Sequence, residues 1–190
     1  MPAISTARLT ASQFLKLGED PPGVRLELVD GEIEVSPGPT FIHSYADKML
    51  TIILGNHILK HDLGQLFGDV DTIYGEHDVR RPNLLFYRKD RTHLIGETPP
   101  TDPPDLAVEI ASPSSAQTDR VHKFHLYEAH GVAHYWIVDP TAETLEGWSL
   151  HEGKYAQTGK AQGEDSISLP PFPDCDIPLG KLWLPQTKKD

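Results

Sequence analysis

Along this chain the apolar residues change period several times, and each change marks an expected element. In VRLELVDGEIEVSPGP, Leu26, Leu28, Ile33 and Val35 alternate with Glu27, Glu32 and Glu34 around Asp30-Gly31. Alternation of period two across an Asp-Gly turn predicts an N-terminal β-hairpin with one wet face. From His43 to Lys60, Tyr45, Met49, Ile52, Ile53 and Leu59 recur at three- and four-residue spacings. That pattern predicts the main amphipathic helix, closed near His61 to Gly64. A shorter helix is expected over Thr10 to Leu17, opened by the capping-box pattern Thr-x-x-Gln and ended by Gly18.

Leu66 to Ile73 and Asp78 to Tyr87 read as strands, followed by a Pro-rich connection through Thr98 to Pro104. DLAVEIAS (105–112) and VAHYWIVDP (132–140) are short, apolar and β-branched, which fits buried central strands. Between them a helix is expected, capped by Ser114 or Ser115, running to about His130 and stopped by Gly131. Thr144 to Leu150 and Lys154 to Ala156 flank a Glu152-Gly153 turn, and a Pro-rich segment closes the chain. The expected fold is α/β: a mixed β-sheet flanked by helices, with the hairpin in front. Its 190 residues suit a single domain 1–190, with a core from about 9 to 155 and a Pro-rich C-terminal cover over 156–190.

Residues two apart on a strand share a face, so Asp105, Ala107, Glu109 and Ala111 point one way and Leu106, Val108 and Ile110 the other. A carboxylate at Glu109, in the middle of a buried strand, is costly unless it is paired or binds a metal. A salt bridge to a neighbouring Arg or Lys is the alternative. Asp105 lies roughly 13 Å away along the strand, at ~3.3 Å per residue, too far to share one ion. On the following helix, Asp119, Lys123 and Tyr127 fall on one face by four-residue spacing, and Lys123 can reach back toward Glu109.

Charge changes the picture next. Twenty-eight acidic residues against 17 basic ones leave a net charge of −11, which argues against a passive polyanion binder. It does not argue against an enzyme that gathers carboxylates around a divalent cation. VRRPNLLFYRKDR (79–91) is a local basic strip that could meet phosphates, or a set of solvated strand ends. No window approaches the ~20 apolar residues of a membrane span. The N-terminus has no apolar run of signal-peptide length, and the single Cys175 fits a reducing compartment, so a cytoplasmic protein is expected. His122, His125 and His130 lack metalloprotease spacing, and no G-x-S-x-G elbow, P-loop or dinucleotide fingerprint is present.

Four blocks, RLELVDGEIEVSPGPTFIHS, RRPNLLFY, PPDLAVEIASPSS and K-x-x-x-Y-x-x-x-GVAHYWIVDP, together resemble the Uma-type restriction endonuclease family, a branch of the PD-(D/E)XK nuclease superfamily. The resemblance runs from about Leu9 to Tyr155. It implies a restriction endonuclease-like sheet, Mg²⁺ (or Mn²⁺) as cofactor, DNA as partner and self-association as a homodimer. It implies Glu109 as the strand carboxylate. The residue two further on is Ala111, so the usual strand lysine is absent, and the resemblance places that role on Lys123. Glu27 and His43 match acidic and histidine positions near such sites, although His43 also fits a surface residue at a helix start.

The departure is Asn83, which stands where the family pattern Pro-Asp carries its metal-binding Asp. Asn keeps one carbonyl ligand but loses a full charge. Asp78, five residues earlier, would face the other way on a regular strand, which leaves Glu27 as the compensating carboxylate. The expected metal set is therefore Asn83, Glu109 and Glu27, with Glu109, Lys123, Glu27 and His43 as catalytic candidates. Two readings follow: a metal-dependent endonuclease cutting DNA, impaired by Asn83, or a non-catalytic nuclease-fold protein serving as a nucleic-acid-binding or assembly module.

Overall fold

The computed structural model describes residues 8–96, 98–112 and 119–185. Helix α1 (Ala11–Phe14) opens as its sequence predicts: the Thr10 hydroxyl accepts from the Gln13 N–H, and the Gln13 side chain accepts from the Thr10 N–H. Strands β1 (Val24–Val29) and β2 (Glu32–Pro37) form the expected hairpin, pairing Glu27 with Glu34 and Leu28 with Ile33. Its wet face is not where alternation placed it. Glu27 is buried, whereas Ile33 and Val35 are exposed. The hairpin belongs to a four-stranded sheet in which β2 is an edge, so of the two only β1 is flanked by strands on both sides.

Helix α2 (Phe41–His61) begins at the N-cap Thr40, whose hydroxyl accepts from the His43 N–H, and ends at Asp62 in a left-handed conformation. Its buried stripe is Ala46, Leu50, Leu54 and Ile58 together with Asp47, while Ile52 and Leu59 are exposed. The helix is apolar around much of its girth, so its sequence supports more than one stripe and the partner sheet selects one.

Each of the two long expected strands is broken in two. Strand β3 (Gly64–Gly68) lies in the larger sheet and β4 (Thr72–Ile73) in the smaller. Likewise β5 (Val79–Arg80) belongs to the smaller sheet and β6 (Leu84–Arg88) to the larger. The chain crosses between sheets at 69–71 and returns at 81–83. Pro82 sits in the return crossing, where no ladder N–H is needed.

The larger sheet has the order β10-β9-β8-β7-β6-β3. Its centre is β7 (Leu106–Ile110) beside β8 (His134–Asp139), the parallel pair, and β9 (Thr144–His151) and β10 (Lys154–Gln162) continue antiparallel. A parallel pair needs a crossover, here containing a π-helical turn (Asp119–Lys123) that runs into α3 (Phe124–Ala129). The expected Ser114 or Ser115 cap lies outside the described residues.

Alternation along β7 holds as read. Leu106, Val108 and Ile110 enter one core with Leu50, Leu54 and Trp136, and Ala107 and Ala111 enter the other with Tyr127 and Tyr135. The closing segment, β11 (Ser166–Leu169) and β12 (Phe172–Pro178), does more than cover. Leu169, Phe172, Ile177, Leu179, Leu182 and Trp183 join the first core, which therefore extends well past residue 155.

Gly64, at φ +153, lies so close to the Tyr87 carbonyl oxygen that a Cβ would strike it. Gly64→Ala is expected to cost about 3 kcal/mol, as a backbone clash that cannot relax through a rotamer. Urea unfolding would measure it, and a midpoint unchanged from the parent would contradict this account of the β3–β6 pairing.

Candidate active site

The crossing at 81–83 brings β1, the first turn of α2, the end of β7 and the π-helical turn around one open cavity of about 440 Å³. Glu27, His43, Asn83, Glu109 and Lys123 all line it. The five sequence candidates therefore share one site, although they come from both sheets and two helical elements.

Glu109 is 2% exposed. Its Oε1 accepts from the Tyr127 hydroxyl at 2.7 Å, and its Oε2 lies 3.0 Å from Lys123 Nζ. Four-residue spacing puts Lys123 and Tyr127 over the same carboxylate, as their sequence positions predict. Burial, then the Glu109 charge, holds the Tyr127 hydroxyl far above its ordinary value, so it remains a donor.

Lys123 Nζ also lies 3.5 Å from Glu27 Oε2. Glu27 Oε1 accepts from the Arg81 N–H at 2.7 Å. Burial pushes Glu27 up, but Lys123, Arg25, the Arg81 N–H and Arg80 outweigh it, leaving the carboxyl below its ordinary value. One ammonium thus bridges two buried carboxylates from different sheets.

Asn83 extends the β6–β7 pairing, in which Leu84 faces Val108. Its Oδ1 accepts from the Ile110 N–H at 2.9 Å, and its Nδ2 lies 3.3 Å from His43 Nε2. Since the Ile110 N–H can bond only to the amide oxygen, the NH2 must face His43, whose Nε2 accepts in the neutral form. Burial is the largest reason that His43 titrates below its ordinary value; Arg25 pushes the same way, against Asp47 and Asp69.

A histidine depressed in the folded state binds fewer protons there than in the unfolded chain. Stability is therefore expected to fall as pH drops from about 6.5 toward the folded-state value. Unfolding free energies between about pH 7 and pH 5 would show a slope that His43→Gln reduces; an identical slope in that variant would put the titration elsewhere.

What the site offers a divalent cation is two carboxylates and one amide oxygen, one charge short of three carboxylates. Glu27 and Glu109 already converge on a single positive centre, the Lys123 ammonium, while Asn83 offers a neutral oxygen engaged by the Ile110 N–H. Among the described residues, no group of three or more His, Cys, Asp or Glu side chains could hold a metal ion.

The basic strip does not form an open track for phosphates. Arg80 pairs with Glu27, Glu34 and Asp78, Arg81 with Asp20 and Asp71, Arg88 and Arg91 with Asp105, and Lys89 with Asp62. These strand ends sit among acidic neighbours, which pair with each basic side chain locally. Asp105 is correspondingly a structural anchor at the far end of β7. Sequence reasoning left out Arg25 and Asp47, which also line the cavity. Their spacing held a signal: Arg25 lies two residues before Glu27 on a strand, and Asp47 four after His43 on a helix.

This architecture is a nuclease fold. A crystal structure of a putative nuclease belonging to DUF820 from Anabaena variabilis ATCC 29413 matches with a TM-score of 0.74 at 20% identity, covering 92% of this chain and 97% of that one. The family described as "Uma2: Putative restriction endonuclease" matches residues 11–180, and the chain belongs to it. No curated protein sequence matches the chain. Among the described residues, no helix is long and apolar enough to cross a membrane.

Proposed function

We propose that the chain is an endonuclease that hydrolyses phosphodiester bonds in DNA with Mg²⁺ or Mn²⁺ held by Glu109, Glu27 and Asn83. The observation that carries this reading is the convergence of two buried carboxylates, from separate sheets, on one positive centre in an open cavity. Structural charge pairs do not need a cavity; a pair that handles substrate does.

A divalent ion bound there would polarise the phosphate and lower the pKa of its water. The protein's own groups prepare the rest. Tyr127 fixes the orientation of Glu109 by donating to Oε1, which leaves Oε2 to Lys123. Lys123, held by both carboxylates, is placed to steady negative charge as it develops on the phosphate. His43, neutral, orients Asn83 by accepting from its amide.

The test is nicking of supercoiled plasmid with Mn²⁺ by the protein and by Glu109→Gln, which keeps the side-chain shape. A loss of roughly 100-fold or more is expected, of the size seen when a group that acts on the transition state is removed. Undiminished nicking by Glu109→Gln would take Glu109 out of the site. Asn83 favours a second reading, a nuclease fold that binds without cutting. That reading expects no cleavage with any divalent ion, and DNA binding that survives Glu109→Gln.

A further inference from the structure

Most cations lining the cavity are held at short range. Lys48 Nζ lies 2.7 Å from Asp47, Arg81 lies 2.7 Å from Asp71 and 2.6 Å from Asp20, and Lys123 lies 3.0 Å from Glu109. Arg25 differs. Its Nη1 stands 3.6 Å from Asp69, beyond hydrogen-bond distance, and its Nε and Nη2 are buried with no hydrogen-bond partner among the described residues. A buried, unsatisfied guanidinium edge costs free energy unless a ligand completes it.

Arg25 also has the right place. It lies two residues from Glu27 on β1, so both side chains leave the same face of the strand, roughly 7 Å apart at ~3.3 Å per residue. Its partner Asp69 is mostly exposed and sits in the sharp turn between β3 and β4 at φ +53. That carboxylate can swing into water at little cost, and a ligand offering two oxygens in the plane of the guanidinium would replace it with better geometry.

We propose that Arg25 forms a phosphate subsite of this cavity, taking the phosphodiester group that flanks the one to be cut, with Asp69 as an acidic placeholder that the nucleic acid displaces. The assignment rests on the nuclease reading for its substrate, but not for the subsite itself. It would also let an acidic chain take up a polyanion: the Asp69 carboxylate leaves as the phosphate enters, so the local charge need not rise.

The test uses Arg25→Gln, Arg25→Lys and Asp69→Asn in the full chain, with chelator present so that nothing is cut. Anisotropy of a short labelled DNA duplex and titration with inorganic phosphate are read side by side. Arg25→Gln is expected to weaken both by roughly tenfold or more, the loss of a charge-assisted hydrogen bond. Arg25→Lys should recover part of it, because the charge returns without the planar fork. Asp69→Asn is expected to tighten both several-fold, a gain that misfolding does not imitate.

Equal duplex affinity across the parent, Arg25→Gln and Asp69→Asn would overturn the inference, whatever the parent does to plasmid. Arg25-dependent binding of inorganic phosphate without duplex binding would overturn the nucleic-acid assignment in favour of a free phosphate ligand. Arg25-dependent duplex binding by a parent that never nicks plasmid with Mn²⁺ would support the subsite while sinking the nuclease reading.

Discussion

Asn83→Asp is expected to tighten Mn²⁺ binding by roughly tenfold or more and to raise plasmid nicking with it. The substitution keeps the side-chain size and the oxygen that accepts from the Ile110 N–H, and it turns the NH2 beside His43 into a second anionic oxygen. A unit charge at 4 Å is worth ~4 kcal/mol at an effective dielectric of 20, which sets a ceiling near a thousandfold for one charge, and more for a divalent ion. Part of that gain is diverted. The new carboxylate also favours protonation of His43, whose titration should move up from its depressed position. Calorimetric titration of Mn²⁺ into both proteins, with the His43 ring followed by NMR, measures the two effects separately. An upward move of His43 without tighter Mn²⁺ binding would mean that residue 83 faces the histidine and not the cation. Tighter binding with nicking confined to the Asp form would identify Asn83 as the defect that quiets this chain.

The second large effect concerns the ammonium between the carboxylates. Lys123→Met leaves Glu27 and Glu109 buried without that bridge, and breaking a buried charge pair from one side costs roughly 3–5 kcal/mol. Thermal unfolding in chelator is expected to drop by about 10 °C, given the 2–4 °C per kcal/mol typical of a chain this size. Millimolar Mn²⁺ should restore much of the loss, because an ion that binds the folded state alone adds stability in proportion to RT ln(1 + [L]/Kd). Nicking should stay lost, since the cation supplies charge and not the Lys123 donor. The variant would thus bind metal better and cut worse. A melting temperature independent of both the substitution and Mn²⁺ would show that the two carboxylates draw their compensation from elsewhere.

The two substitutions act on the same electrostatic imbalance. The centre has two buried carboxylates and one bridging ammonium, with a neutral amide where a third anion would sit. Adding a negative charge at 83 or removing the positive one at 123 moves the centre in the same direction, toward a divalent cation. Doing both should tighten Mn²⁺ binding beyond either alone, since the two changes act in the same direction, though not by their sum, because groups that share a partner couple non-additively.

Much of this was legible in the chain itself. Alternation on β7 put Glu109 among apolar neighbours, and a carboxylate on a buried strand has few explanations. Four-residue spacing put Lys123 and Tyr127 on one helical face, and both meet Glu109. Asp-Gly, Thr-x-x-Gln and the apolar runs marked their elements because turn and cap chemistry act within a few residues. What the sequence determined, then, was whatever depends on short-range periodicity.

The tertiary structure decided what depends on distant company. It broke 66–73 and 78–87 across two sheets, so that Asn83 falls at a junction and Glu27 arrives opposite Glu109 from another sheet. It buried one face of α2 out of several that its apolar residues allowed, and so left Leu59 in water. It drew the closing strands into the core, although their polar and Pro-rich sequence read as a cover. It also paired the basic strip with carboxylates and left Arg25, which no local pattern singled out, lining the cavity with two buried donors that no described residue satisfies. Ion pairing is settled by which elements meet in space, and Glu27 and Lys123, 96 residues apart in sequence, carry no local mark of their meeting.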